Sequence, residues 1–185
     1  MHNKIPKIFI FIDRYNNKIF QNNNTDIGIV YRNYKNSDKK ELFKIAKACK
    51  KKRFKLYVSN NIKLAIKVNA DGIYIPSFNK TKRYLNSEKK NLTILGSAHN
   101  QREIFEKKSQ NCKGIFLAPT FYVNKRNYFH GIHKFNYLSR LNKTNFFALG
   151  GVNEKSLVKL KLLNTKGFGA INLFKKKPAF KGRFF

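Results

Sequence analysis

Two glycine-bearing segments near the end of the chain have the residue types for holding an anion: Ala148-Leu149-Gly150-Gly151-Val152-Asn153 and Gly167-Phe168-Gly169-Ala170-Ile171-Asn172. Glycine lets successive backbone N–H groups turn toward a negative charge and lets that charge approach closely. Asn153 ahead of Glu154 has the form of a helix start, where N–H groups are already unsatisfied. A phosphate held by Gly150, Gly151, Gly167 and Gly169, with Asn172 at the edge, is the chemistry this pattern suggests. The competing reading is that these glycines only make tight turns. His99 closes an apolar run and is placed for proton transfer or phosphate contact, or for a purely structural hydrogen bond. His130 and His133 lack cysteine or carboxylate neighbours, so they make a poor zinc signal.

Such groups need elements to carry them. Short β-branched or aromatic runs at 8–13, 27–32, 56–59, 72–76, 92–98, 114–119, 146–150 and 169–173 alternate with stretches of helical period. Helix starts are marked by Asp38 with Glu41, by Asn100 with Glu103, and by Asn153. One helix shows the apolar stripe Leu42, Ile45, Ala46 and Cys49, and the next Leu64, Ala65 and Val68. Eight alternations point to an α/β fold, a single TIM-type (β/α)8 barrel over residues 1–185. That is short against the roughly 250 residues usual for the fold. The Asn-rich stretch at 14–25 has too few apolar positions for a full helix, so the first helix is expected to be degenerate or missing. Residues 175–185 read as a basic extension, docked through Phe180, Phe184 and Phe185. In a barrel the loops after the last two strands commonly hold phosphate, and the two glycine segments are expected there.

Composition narrows the setting. No apolar run approaches the roughly 20 residues of a membrane span, and the start of the chain lacks a signal-peptide pattern, so a cytoplasmic protein without membrane contact is expected. Cys49 lies on a helix stripe and Cys112 just before a strand, and both are read as reduced and structural. A formal charge of +31 attracts polyanions whatever the fold. The lysines are spread over almost every helix, so nucleic-acid binding, if present, is expected to be nonspecific.

A set of segments carries a family resemblance. They are Ile8 to Asp13, Val30-Tyr31-Arg32, Leu64-Ala65, Ala70-Asp71-Gly72-Ile73-Tyr74-Ile75, Ser97-Ala98-His99, Leu117-Ala118-Pro119-Thr120-Phe121 and Leu149-Gly150-Gly151-Val152. In order and spacing they resemble the thiamine-phosphate synthase and TenI superfamily, in a shortened, divergent form. The resemblance implies a protein of thiamine biosynthesis or salvage that binds phosphorylated thiazole and pyrimidine compounds. Its reaction would be condensation of hydroxymethylpyrimidine diphosphate with thiazole phosphate, releasing pyrophosphate. Arg32 and Ser97 are implied as diphosphate contacts and, with His99, as the catalytic set. Gly150 and Gly151 are implied as the thiazole-phosphate loop, and Lys125 as the lysine after the sixth strand.

The departures point elsewhere. The synthase's Mg²⁺ would be the cofactor, but Asn60 and Asn79 stand where aspartate ligands are implied, and Val30, Tyr34 and Val123 replace other site residues. Arg32, Lys35, Lys125 and Arg126 could meet a diphosphate directly in place of the metal. Pro119 occupies the place of the TenI tautomerase histidine. Three readings follow: a synthase-like enzyme, a non-catalytic module binding a thiamine-related phosphate, and a nucleic-acid binder on the same barrel.

Overall fold

In the computed structural model, residues 4–21, 26–33, 39–85, 91–124 and 127–176 are described. Eight parallel strands close into a barrel in simple sequence order: β1 Ile8–Ile12, β2 Ile27–Tyr31, β3 Lys55–Ser59, β4 Gly72–Ile75, β5 Thr93–Ala98, β6 Gly114–Leu117, β7 Asn145–Leu149 and β8 Gly167–Ala170. Closure comes from β1 pairing with β8, Ile8 opposite Phe168 and Ile10 opposite Ala170. Around it lie α1 Asn17–Phe20, α2 Lys39–Lys52, α3 Ile62–Lys67, α4 Gln101–Ser109, α5 Gly131–Leu141, α6 Glu154–Leu157 and α7 Leu173–Lys176. None of the described helices is long and apolar enough to cross a membrane.

Strand side chains alternate between two faces, and the two faces form two cores. The outward set, including Ile10, Ile29, Val58, Ile73, Ile94, Ile115 and Phe168, packs under the helices. The inward set fills the barrel with aromatic rings: Phe9, Phe11, Tyr57, Tyr74, Phe116 and Phe147. Phe9 meets Phe116 edge-on at 4.9 Å and Phe11 meets Tyr74 edge-on at 5.3 Å, the arrangement their quadrupoles favour. Rings of that size leave no room for facing side chains. A Cβ on Gly28 would lie 2.5 Å from Phe9, and one on Gly169 would lie 2.7 Å from Phe11.

The first helix is a single turn, capped by Asn16. Asn100 caps α4 by accepting from the Glu103 N–H, and Asn153 caps α6 in a capping box with Ser156. Asp38 lies outside the described residues, while Glu41 sits in the first turn of α2. Two expectations are corrected. The sixth strand ends at Leu117, and a cis Ala118-Pro119 bond follows it. The last strand spans Gly167–Ala170, not 169–173, and Leu173 with Phe174 begins α7. Gly167 and Gly169 therefore lie within β8 and are not a loop at its end. The reason is closure: a Cβ on Gly167 would fall 2.0 Å from the Lys7 carbonyl oxygen, so only glycine lets β8 reach the start of β1. Residues 177–185 lie outside the described part, and with them the docking expected of Phe180, Phe184 and Phe185.

Candidate functional site

The C-terminal ends of the strands form the mouth of the barrel, and the aromatic interior is its floor. Arg32 follows β2, with its guanidinium carbon 5.6 Å from the centre of the Phe11 ring. Phe11 in turn packs on Tyr74, whose hydroxyl donates to Ser97 Oγ at 2.8 Å. Arg32 and Ser97 are thus joined through one continuous floor. Ser97 is buried, so its hydroxyl is held in place by Tyr74 at the end of β5.

The loop after β7 meets the loop after β6. Thr120 N donates to the Leu149 carbonyl at 2.8 Å, Leu149 N donates to Thr120 Oγ1 at 3.0 Å, and Phe121 N donates to the Gly150 carbonyl at 3.0 Å. Both glycines are in the left-handed region, φ +85° at Gly150 and +70° at Gly151. A Cβ on Gly151 would sit 2.5 Å from the Phe121 carbonyl oxygen. Close packing of two loops therefore demands glycine at Gly151 whether or not a ligand is present. The N–H groups of Gly150 and Gly151 donate to no loop or side-chain acceptor among the described residues. Asn172 is exposed just after β8; Gly167, at the other end of β8, is remote from the mouth.

His99 follows β5, with Nδ1 against the Ala118 carbonyl and its backbone N–H donating to Glu103 Oε2 at 2.7 Å. His130 is buried beneath the same loop. Its N–H donates to the Pro119 carbonyl at 2.9 Å, and Nδ1 meets the Tyr128 hydroxyl at 2.9 Å. Burial lowers the His130 pKa to about 4, so the ring is neutral at neutral pH. His133 is exposed, so the two histidines do not act as a pair. Burial also pushes both thiols up, Cys112 to about 12, which keeps the nucleophilic thiolate scarce.

A family model described as thiamine monophosphate synthase matches residues 24–173. The chain belongs to the thiamine monophosphate synthase family. The thiamine-phosphate synthase of Prochlorococcus marinus is 28% identical over 138 residues, covering 71% of this chain and 39% of that protein. The chain thus spans about two-fifths of the length of that relative. A thiamine phosphate pyrophosphorylase from Pyrococcus furiosus superposes with a TM-score of 0.73 at 17% identity, over 95% of this chain and 93% of the other. One from Bacteroides thetaiotaomicron gives 0.62 at 15% identity, over 90% and 83%. These two likenesses concern the barrel fold.

For a thiamine monophosphate synthase family member, the Mg²⁺ question turns on Asn60 and Asn79. Asn79 Nδ2 donates to Asn60 Oδ1 at 2.6 Å, and Asn79 Oδ1 accepts from Thr81 N at 2.9 Å. Both amide oxygens are therefore engaged within the protein. The Asn79 backbone carbonyl accepts from Nζ of the buried Lys107 at 2.7 Å. Among the described residues no three His, Cys, Asp or Glu side chains come together. Asp13 follows β1, well exposed and near Arg14, and Asp71 lies at the opposite end of the barrel, bonded to Lys55 at 2.8 Å. This donor set does not fit a hard divalent cation.

Arg32, Ser97, His99, Gly150, Gly151 and Asn172 all lie at the mouth, and Asn60 and Asn79 beside it. Tyr34, Lys35, Lys125 and Arg126 lie outside the described residues. Sequence reasoning passed over Tyr74 and Thr120, which hold Ser97 and the glycine loop. The signal for Tyr74 was its inward place in the β4 alternation; for Thr120 there was none short of the β6–β7 pairing.

Proposed function

We propose that the mouth binds the phosphate of a phosphorylated thiamine precursor, such as thiazole phosphate, on the Gly150-Gly151 loop, with Arg32 as the cationic contact. The observation that carries this reading is the pair of left-handed glycines whose N–H groups meet no loop or side-chain acceptor among the described residues, just after β7 in a thiamine monophosphate synthase family barrel. Backbone N–H groups that need no rearrangement are effective anion donors, and an arginine at the same mouth adds charge-assisted hydrogen bonds. A pyrimidine diphosphate would place its departing pyrophosphate near Arg32 and Ser97, where cationic stabilisation lowers the cost of leaving.

A second reading, a non-catalytic phosphate-binding module, is favoured by the Asn60–Asn79 bond, because two neutral amides supply none of the charge of a metal-assisted departure. Titrating the purified chain with thiazole phosphate, hydroxymethylpyrimidine diphosphate and thiamine phosphate, followed by a turnover assay, separates the two. Binding with turnover supports the synthase-like enzyme. Binding without turnover supports the module, and binding of none of the three rejects both.

A further inference from the structure

We propose that the end of the barrel opposite the mouth is a docking face for single-stranded nucleic acid. A cleft of about 590 Å³ opens there between α2 and α3, at the starts of β3 and β4. Its rim carries Lys47, Lys50, Arg53 and Lys67, all exposed. The one carboxylate in the cleft is already engaged: Asp71 accepts from Lys55 Nζ at 2.8 Å and from Leu56 N at 2.9 Å. Helix C-termini point to this end, and their partial negative charge is offset by one or two lysines per helix. Of the last turn of α2 only Lys50 lines the cleft, but with Lys47, Arg53 and Lys67 it makes four cations beside two helix ends, charge beyond that need.

Arg53 adds a separate observation. Among the described residues five non-glycine positions have positive φ, and four of them are asparagine, which tolerates that conformation. The fifth is Arg53, at φ 57°, closing α2 with Phe54 N donating to the Cys49 carbonyl. Glycine serves that position best. An arginine in this left-handed position where glycine would be more stable, on the rim of a basic cleft, points to a role for its charge.

Two features favour a nucleic acid over other polyanions. Phe43 is 42% exposed at the cleft, with Lys67 Nζ 5.9 Å from its ring centre, a surface on which a base can stack. A second cleft of about 500 Å³ opens at the same end, at the starts of β6 and β7, lined by Lys108, Lys113 and Lys143 with Thr144 and Asn145. Two basic clefts on one face suit an extended phosphodiester chain more than a single anion.

The test is fluorescence anisotropy of a labelled oligothymidylate about 15 nucleotides long, titrated with the full chain between about 50 and 200 mM salt. Replacing Lys47, Lys50 and Lys67 with alanine together with Arg53→Gly is expected to weaken binding about tenfold or more. The slope of log affinity against log salt should fall by about 0.7 for each phosphate contact removed. A charge-matched control, Lys134, Lys155, Lys159 and Lys161 to alanine, should change little. Arg53→Gly alone should weaken binding while the thermal midpoint stays level or rises, which separates loss of contact from loss of fold. Phe43→Ala should weaken the oligonucleotide but not polyglutamate. Equal losses from both lysine sets would overturn the proposal in favour of whole-molecule charge. Polyglutamate bound as tightly as the oligonucleotide, with Phe43→Ala silent, would overturn it in favour of an acidic polypeptide, and no oligonucleotide binding at the lowest salt would end it outright.

Discussion

Gly151 answers two demands with one residue: a left-handed backbone and a loop carbonyl where a Cβ would sit. Gly151→Ala is expected to destabilise the fold by about 2 kcal/mol or more. That is a fall of roughly 4–8 °C in thermal midpoint for a chain of this size, with loss of phosphate binding. His130 makes a pH prediction. Its folded pKa of about 4 lies below the 6.5 of an unhindered histidine. Between those values the unfolded chain takes up a proton that the fold refuses, so stability falls as pH drops from about 6.5 toward 4 and is flat above. His130→Asn should remove that part of the slope in thermal melts across pH, and an unchanged slope would place the titration elsewhere.

The connection from β4 to β5 is tied down by a clasp of polar groups. Lys107 Nζ donates to the Asn79 carbonyl and to Gln110 Oε1, Gln110 Nε2 donates to the Asn79 and Thr81 carbonyls, and the Tyr84 hydroxyl donates to the Asn60 carbonyl. Burial lowers the Lys107 pKa, and two acceptor oxygens, the Asn79 carbonyl and Gln110 Oε1, hold its amine in place. Lys107→Met should cost about 1.5–3 kcal/mol in chemical denaturation and loosen Asn79. Aspartate at both Asn60 and Asn79 would replace an amide hydrogen bond with two facing carboxylates. That variant should melt lower than the parent at neutral pH and recover with Mg²⁺; no Mg²⁺ response would mean the two loops cannot hold a cation even with charge restored. The barrel itself was legible because buried parallel strands read as continuous apolar runs, several of them followed by a helix with an asparagine cap, as at Asn100 and Asn153. The bounds of the eighth strand were not, because Gly167-Phe168-Gly169 has no local strand signal: its glycines answer to Lys7 and Phe11, far away in the chain. Asn60 and Asn79 were legible as missing carboxylates, but their bond to each other spans 19 positions and shows only in the fold.

Taken as a whole, the barrel presents two ends of different character. The mouth gathers Arg32, Ser97, His99 and the glycine loop over an aromatic floor, while the opposite end carries basic clefts. A formal charge of +31 makes both ends attractive to anions, so specificity at the mouth has to come from geometry: N–H groups fixed by the β6–β7 loop pairing and a guanidinium set over Phe11. The most direct measurement is calorimetric titration of thiazole phosphate into the chain and into Arg32→Ala, each with Mg²⁺ and with chelator. The expected result is an affinity that Mg²⁺ leaves nearly unchanged and that Arg32→Ala lowers roughly ten- to a hundredfold, the weight of one charge-assisted donor of about 1.5–3 kcal/mol. Binding that requires Mg²⁺ and is indifferent to Arg32 would contradict it.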